Sequence, residues 1–422
     1  MIETVTLLPG VNLRFFRDDR FKQGCISVQF MRPMCREEAA LNALVPAVLL
    51  RGCEGTPDLR TITLKLDDLY GASVGALVRR VGDYHATGLY AGFISDRYAL
   101  GEDRVMAPMV DFIKQLLLAP VTENGVFRKD FVESEKKNLI SAIESQKNNK
   151  RAYATAQMLS HMCREDSYGI PRLGEIADVK TITPESAYEH YKTLLRESPV
   201  ELFYVGPAPE EAAELLKAVF EGIDRAPVTL PPQTAFQSCG GGDFEETLDV
   251  AQGKLCMGFS TPVTTRQGDF VAMQVCNALF GSGMTGKLFM NVREKMSLCY
   301  DIGSSYQGTK GIMTVSSGID FSRKQAVQEE ILRQLQAVRD GDFTEKELQC
   351  ARESLSSSLR GLHDSPGAIE NYYFVAGLNG LGLSPEEYLR RVTEVTPEEV
   401  SAAAKTLTLD TVYFLKGVQC DG

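Results

Sequence analysis

Along "QGCISVQFMRP", residues 23–33, apolar and polar positions alternate as in a strand, and the run ends in proline. The period then changes. "REEAALNALVPAVLL" predicts a helix near 36–51, and its extension "ALNALVPAVLLRGCEGT" at 40–56 stays apolar until a glycine turn. That stretch holds no His, and Glu54, its one carboxylate, falls after the helix has ended. A helix near 58–69 closes at Tyr70-Gly71, strands follow at 71–82 and 84–94, and helices are expected at about 104–118 and 127–162. Later come a strand at 254–260, a helix at 267–280, a glycine loop and a helix at 286–296. Strands at 298–306 and 311–318 and helices at 322–339 and 344–363 complete the pattern. Helices packed on one face of a mixed, largely antiparallel sheet define an α+β class.

The pattern repeats. "QGCISVQFMRP" at 23–33 is similar to "QGKLCMGFSTP" at 252–262, and "ITPESAYEHYKTLL" at 182–195 to "VTPEEVSAAAKTLT" at 395–408. Both of the latter carry Thr at a helix N-cap, Pro at the first helical position and Glu in the first turn. Short apolar strands follow each, at 199–206 and 411–418. The marks recur 229 and 213 residues apart in the same order, as expected of two copies of one fold. "DRAPVTLPPQTAFQSCGGGDFEE", with three Pro and a Gly triplet, reads as the connection between them. The organisation expected is therefore a domain at 1–223, a linker at 224–246 and a second domain at 247–422.

Composition narrows the classes. The net charge of −11, without a dense Lys/Arg block, argues against nucleic-acid binding. No apolar run reaches membrane-spanning length, and the N-terminus is a poor signal peptide, so a cytoplasmic location with no membrane partner is expected. Ten cysteines stand singly without a C-x-x-C pair, as buried small hydrophobes in a reducing compartment would.

Few stretches carry chemistry. "GSGMTGK" at 281–287 has the Gly281, Gly286 and Lys287 of a phosphate-binding loop, with Gly283 between them. It follows a helical pattern instead of a strand, and Leu288 stands where a magnesium-binding hydroxyl belongs, so a connector between helices is the better reading. "CGGGDFEE" is a worse anion site, since three carboxylates follow its glycines. The four histidines are scattered. His161, Cys163 and Glu165 have one residue between successive members, which on a helix points neighbours to different faces. "NVREKMSLCYDIGSSY" at 291–306 runs a charged helix end into a strand. Arg293 and Tyr300 there could hold the carbonyls or carboxylate of an extended peptide, or be an ordinary helix–strand junction.

At this last stretch, "GSGMTGKLFMNVREKMSLCYDIGSSY", the chain resembles the second domain of the pitrilysin/insulinase (inverzincin) metallopeptidases, and the duplication fits that family. The resemblance implies two homologous α+β halves. Active members carry H-x-x-E-H on a first-copy helix, two His binding zinc and the Glu activating water, with a further Glu on a later helix. Those positions correspond here to Ala43, Pro46 and Ala47, or in a second register to Pro46, Leu49 and Leu50, with the later ligand near Ala142. None is a ligand or base, and Glu144 alone cannot hold a metal. Arg293 and Tyr300 match positions with which the family grips substrate, and 281–286 matches its glycine loop. The resemblance thus implies a non-catalytic subunit with no cofactor of its own. It would form a heterodimer with an active zinc-bearing paralogue, or a homodimer when alone, and bind peptide. "LDDLYGA" at 66–72 further resembles the Firmicute subgroup associated with aminopentanol modification of elongation factor P. An active peptidase using other residues and a pure interaction scaffold are the alternatives.

Overall fold

The computed structural model describes residues 2–417. Val418, the last residue of the predicted final strand, and Cys420 lie outside the described residues. The first copy contains β1 (Ile2–Leu8), β2 (Val11–Arg17), β3 (Gln23–Pro33), β4 (Ser73–Val81), β5 (Tyr84–Ile94), a two-residue hairpin β6 (Thr122–Glu123) and β7 (Val126–Phe127), and β8 (Val200–Gly206). Its helices are α1 (Arg36–Leu49), α2 (Leu59–Asp68), α3 (Met106–Leu118), α4 (Lys129–Ser145), α5 (Lys150–Met162), α6 (Ile176–Thr181), α7 (Pro184–Glu197) and α8 (Pro209–Phe220). The second copy contains β9 (Asp243–Leu248), β10 (Gly253–Ser260), β11 (Asp301–Gln307), β12 (Ile312–Ile319) and β13 (Thr408–Gly417). Its helices are α9 (Phe270–Phe280), α10 (Lys324–Arg339), α11 (Glu345–Gly361), α12 (Pro366–Asn379), α13 (Pro385–Glu394) and α14 (Pro397–Thr406).

The two sheets share one topology. The first runs β1-β2-β8-β3-β5-β4 and the second β9-β13-β10-β12-β11. In each, one parallel pair, β2 with β8 and β9 with β13, precedes an antiparallel remainder. Without the extra edge strand β1, the orders superimpose strand for strand. The repeated sequence marks fall on equivalent elements: β3 and β10, α7 and α14, β8 and β13. Thr183 and Thr396 cap their helices through capping boxes, and Pro opens both. β8, "VELFYVG", is buried at every residue because it lies inside its sheet with both faces covered.

The compact units are not contiguous stretches of chain. One comprises Met1–Glu144, Ile170–Pro232 and His363–Val375, and the other Ser145–Gly169, Gln233–Leu362 and Ala376–Gly422. Each unit therefore contains a helical segment drawn from the other copy. The helix expected at 127–162 is accordingly two helices. It breaks at Asn149, whose side chain caps α5 by accepting from the Ala152 amide. The stretch 224–246 is not all linker, since residues from Asp243 onward pair with β13. The strand expected from 298 starts at Asp301.

Candidate functional site

α1 is bland because it is buried almost all round, with Ala39, Ala40, Asn42, Ala43, Leu44, Val45, Pro46, Val48 and Leu49 inside and only Leu41 and Ala47 half-buried on its inner turns. Pro46 has no N–H to donate to the Asn42 carbonyl. The Thr87 hydroxyl of β5 donates to that oxygen instead. Pro46 and Leu49 also line a small apolar pocket with Phe30, Leu117 and Tyr191.

Beyond the charged first turn, Arg36, Glu37 and Glu38, the polar residue of the helix is the buried Asn42, which no local pattern in the sequence singles out. Its amide lies 3.2 Å from Nδ1 of His85 on β5 and 2.8 Å from Nε2 of His190 on α7. Burial pushes both imidazoles down to about 4, helped at His85 by Arg172 and Arg80 and opposed at both by Glu38. Both rings are therefore neutral near pH 7. No local signal marked this cluster, because its members are 43 and 148 residues apart.

The residues of α1 do not fit a zinc ion. Ala43, Pro46 and Ala47, or Pro46, Leu49 and Leu50, present hydrocarbon alone. Ala142 and Glu144 are exposed on α4. Among the described residues no three His, Cys, Asp or Glu side chains come together as a metal site. His161 stacks on Phe244 with ring centroids 4.1 Å apart, and Cys163 is buried in the core of its unit.

The second-copy loop is a helix connector. Gly281 ends α9, and its backbone lies so close to Gly286 that a side-chain carbon at 286 would stand 3.0 Å from the Gly281 Cα. Gly283 faces more open space. Lys287, the would-be phosphate ligand, is buried and paired with Glu347 of α11 at 3.3 Å. The Gly281 carbonyl accepts from the Ser304 amide at 2.9 Å, covering the middle of the open edge of β11.

Past Lys287 the chain forms a π-helix over Leu288–Lys295, a wide turn common at functional sites. Asn291, inside it, donates to Gln334 of α10 at 2.8 Å, and Gln334 donates to the buried Glu330. Arg293 is half-exposed, lies over the Phe289 ring and stands 3.6 Å from Glu294. Tyr300 is 58% exposed and donates to Asp320 at 2.8 Å, a bond that raises its phenol above the usual range. Each is thus held by its own neighbours. Both leave polar atoms open to a ligand: a planar cation on the π-helix and a phenolic oxygen just before β11.

These features define a class. Residues 181–355 match the family described as "Peptidase M16 inactive domain", and the chain is a homologue of the M16 peptidases, the pitrilysin/insulinase family. Within that class it is similar over nearly its whole length to the Bacillus subtilis protein described as "Probable inactive metalloprotease YmfF", being 28% identical over 411 residues, 97% of this chain and 96% of that protein. A conserved protein from Enterococcus faecalis V583 shares the fold at TM-score 0.91 and 28% identity, with 100% of both chains covered. The peptidase M16 inactive domain from Pseudomonas fluorescens shares it at TM-score 0.82 and 18% identity, over 99% of this chain and 97% of that one, a likeness of fold alone.

Proposed function

We propose that this chain is a non-catalytic M16-type subunit that pairs with a zinc-bearing paralogue and helps to hold an extended peptide. One observation carries the reading: the positions that would bind zinc are hydrocarbon on a buried helix, while the Arg and Tyr of the substrate-contact motif are displayed. The partner's zinc would supply the activated water. Arg293 would donate its fork of N–H groups to peptide carbonyls or a terminal carboxylate. Tyr300 keeps acceptor capacity on its oxygen while its proton goes to Asp320. The loop 281–286 would shape the mouth of the peptide site. Because the Ser304 amide is already bonded, a peptide here would meet side chains before it could pair along all of β11.

The test is metal content and peptide cleavage by the purified chain, with and without chelator, followed by the chain mixed with a zinc-bearing paralogue. The expected outcome is no stoichiometric zinc and no turnover alone. In the mixture, Arg293→Ala should lower turnover roughly tenfold or more, the loss of a charge-assisted contact. Chelator-sensitive cleavage by the pure chain would overturn the proposal. Undiminished turnover in the Arg293→Ala mixture would assign the chain to a scaffold role instead.

A further inference from the structure

α2 rests on the first unit through Ile62, with Leu66 and Leu69 beside it, and turns its other side to solvent. On that side stands Leu64, 53% exposed. The last turn then carries Asp67 and Asp68, both exposed, although the carbonyl end of a helix is its negative pole. Neither of these side chains makes a hydrogen bond or ion pair among the described residues.

Two residues past the helix, Tyr70 adopts the left-handed conformation at φ 61°, which is costly for a bulky side chain. Its ring packs on the core, while its hydroxyl accepts from the Leu100 amide at 2.9 Å and donates to Asp103. The loop 99–103 is thereby tied to the end of α2, with Leu100 74% exposed and Glu102 and Asp103 exposed beside it. Asp67, Asp68, Glu102 and Asp103 thus flank displayed leucines, against Lys65 as the one cation in the last turn of the helix. Arg104, next along the chain, is already paired with Asp96 and Glu211. One solvent-facing leucine is ordinary. Here two helix-end preferences are broken at the same place, and the tyrosine that breaks one of them also holds the loop that shows Leu100. Local rules broken without a gain inside the chain mark places that serve something outside it.

The second copy gives the matching place the opposite charge. Its π-helix precedes β11 as α2 precedes β4, and it too is followed two residues on by a left-handed residue, Ser297 at φ 50°. The last turn there carries Arg293 and Lys295.

We propose that the end of α2 and the loop 99–103 form a docking surface for a basic, leucine-bearing segment of a partner protein. An aliphatic side chain of that segment packs on Leu64 and Leu100, and its lysines or arginines meet the surrounding carboxylates, a complementarity that favours encounter and fixes which partner is taken. The surface makes no use of Arg293 or Tyr300 and stands independently of the peptide-holding role.

The test is binding of a labelled, end-blocked peptide repeating Lys-Lys-Leu-Leu to the full chain at low and high salt. Two control peptides replace every Lys by Glu or every Leu by Ser. Because the chain carries a net charge of −11, any cationic peptide is drawn to it, so the variants decide the outcome. Leu100→Ser should weaken binding roughly tenfold, the loss of one aliphatic contact. Asp67→Asn/Asp68→Asn should weaken it roughly threefold or more at low salt and little at high salt. The charge-matched pair Glu165→Gln/Asp342→Asn, exposed in the second unit, should bind as the parent does. The substituted side chains are exposed, and melting temperatures near the parent's would verify folding. Unchanged binding by Leu100→Ser, or an equal loss in the charge-matched pair, would overturn the proposal. So would a dimer of the parent chain that Leu100→Ser dissolves, since the surface would then belong to a second copy.

Discussion

Pro46 lies inside α1, where a proline forfeits a backbone bond and crowds the preceding turn at a cost of ~3 kcal/mol. Part of that cost is offset because the stranded Asn42 carbonyl is claimed by Thr87, while the Asn42 amide ties His85 to His190. The histidines give this cluster a pH signature. Their folded values near 4 lie below the ordinary 6.5, so the folded state resists the proton that the unfolded state takes up. Their contribution to stability is complete above about pH 6.5 and is lost as pH falls toward 4, at up to ~3 kcal/mol per ring. Urea unfolding across that range should therefore show a steeper loss for the parent than for His85→Gln/His190→Gln. Equal slopes would mean that the rings titrate normally. The absence of ligand side chains at Ala43, Pro46 and Ala47 was legible in the sequence. The Asn42 cluster was not, because only the strand order brings β5 beside α1 and α7.

Among the elements, the helix carrying Arg293 shows how far periodicity reaches. An apolar and charged pattern over 286–296 predicts a helix, but not that its turns widen to the π form or that it stops where it does. The stop is set by Ser297, whose φ of 50° is left-handed. Its amide bonds the Arg293 carbonyl at 3.1 Å and the Leu298 amide bonds that of Val292 at 3.0 Å, a glycine-type helix end built on serine. Glycine pays no side-chain penalty in this conformation. Ser297→Gly should thus leave stability unchanged or raise it by up to ~1 kcal/mol, whereas Ser297→Val should lower it by ~1–2 kcal/mol. Denaturant midpoints of the two variants check this. A tolerated valine would show that the backbone relaxes here without cost. The break at Asn149 escaped the pattern for a related reason: α4 and α5 continue one period, but they serve different units.

For the molecule as a whole, the exchange of segments between units has a direct consequence. Residues 1–223 hold one full copy of the sequence pattern, yet they lack 363–375, which cover Phe16, Cys25, Phe203 and Val205. They also carry α5 without its sheet. That fragment should not reach a cooperatively folded monomer. Expressed alone it should bind a hydrophobic dye or self-associate, and a sharp, dye-free monomeric melt would contradict the exchange. The chain's local order settles much of this protein: two copies, their strands and helices, the Thr-Pro helix starts, and the want of zinc ligands on α1. These are properties of residues near one another in sequence, where period, capping and side-chain type act directly. Tertiary structure alone decides that Asn42 joins two distant histidines, that Gly281 covers the β11 edge, and that each sheet is completed by a helix from the other copy. Those contacts depend on which faces meet across long stretches of chain, and an apolar face does not name its partner.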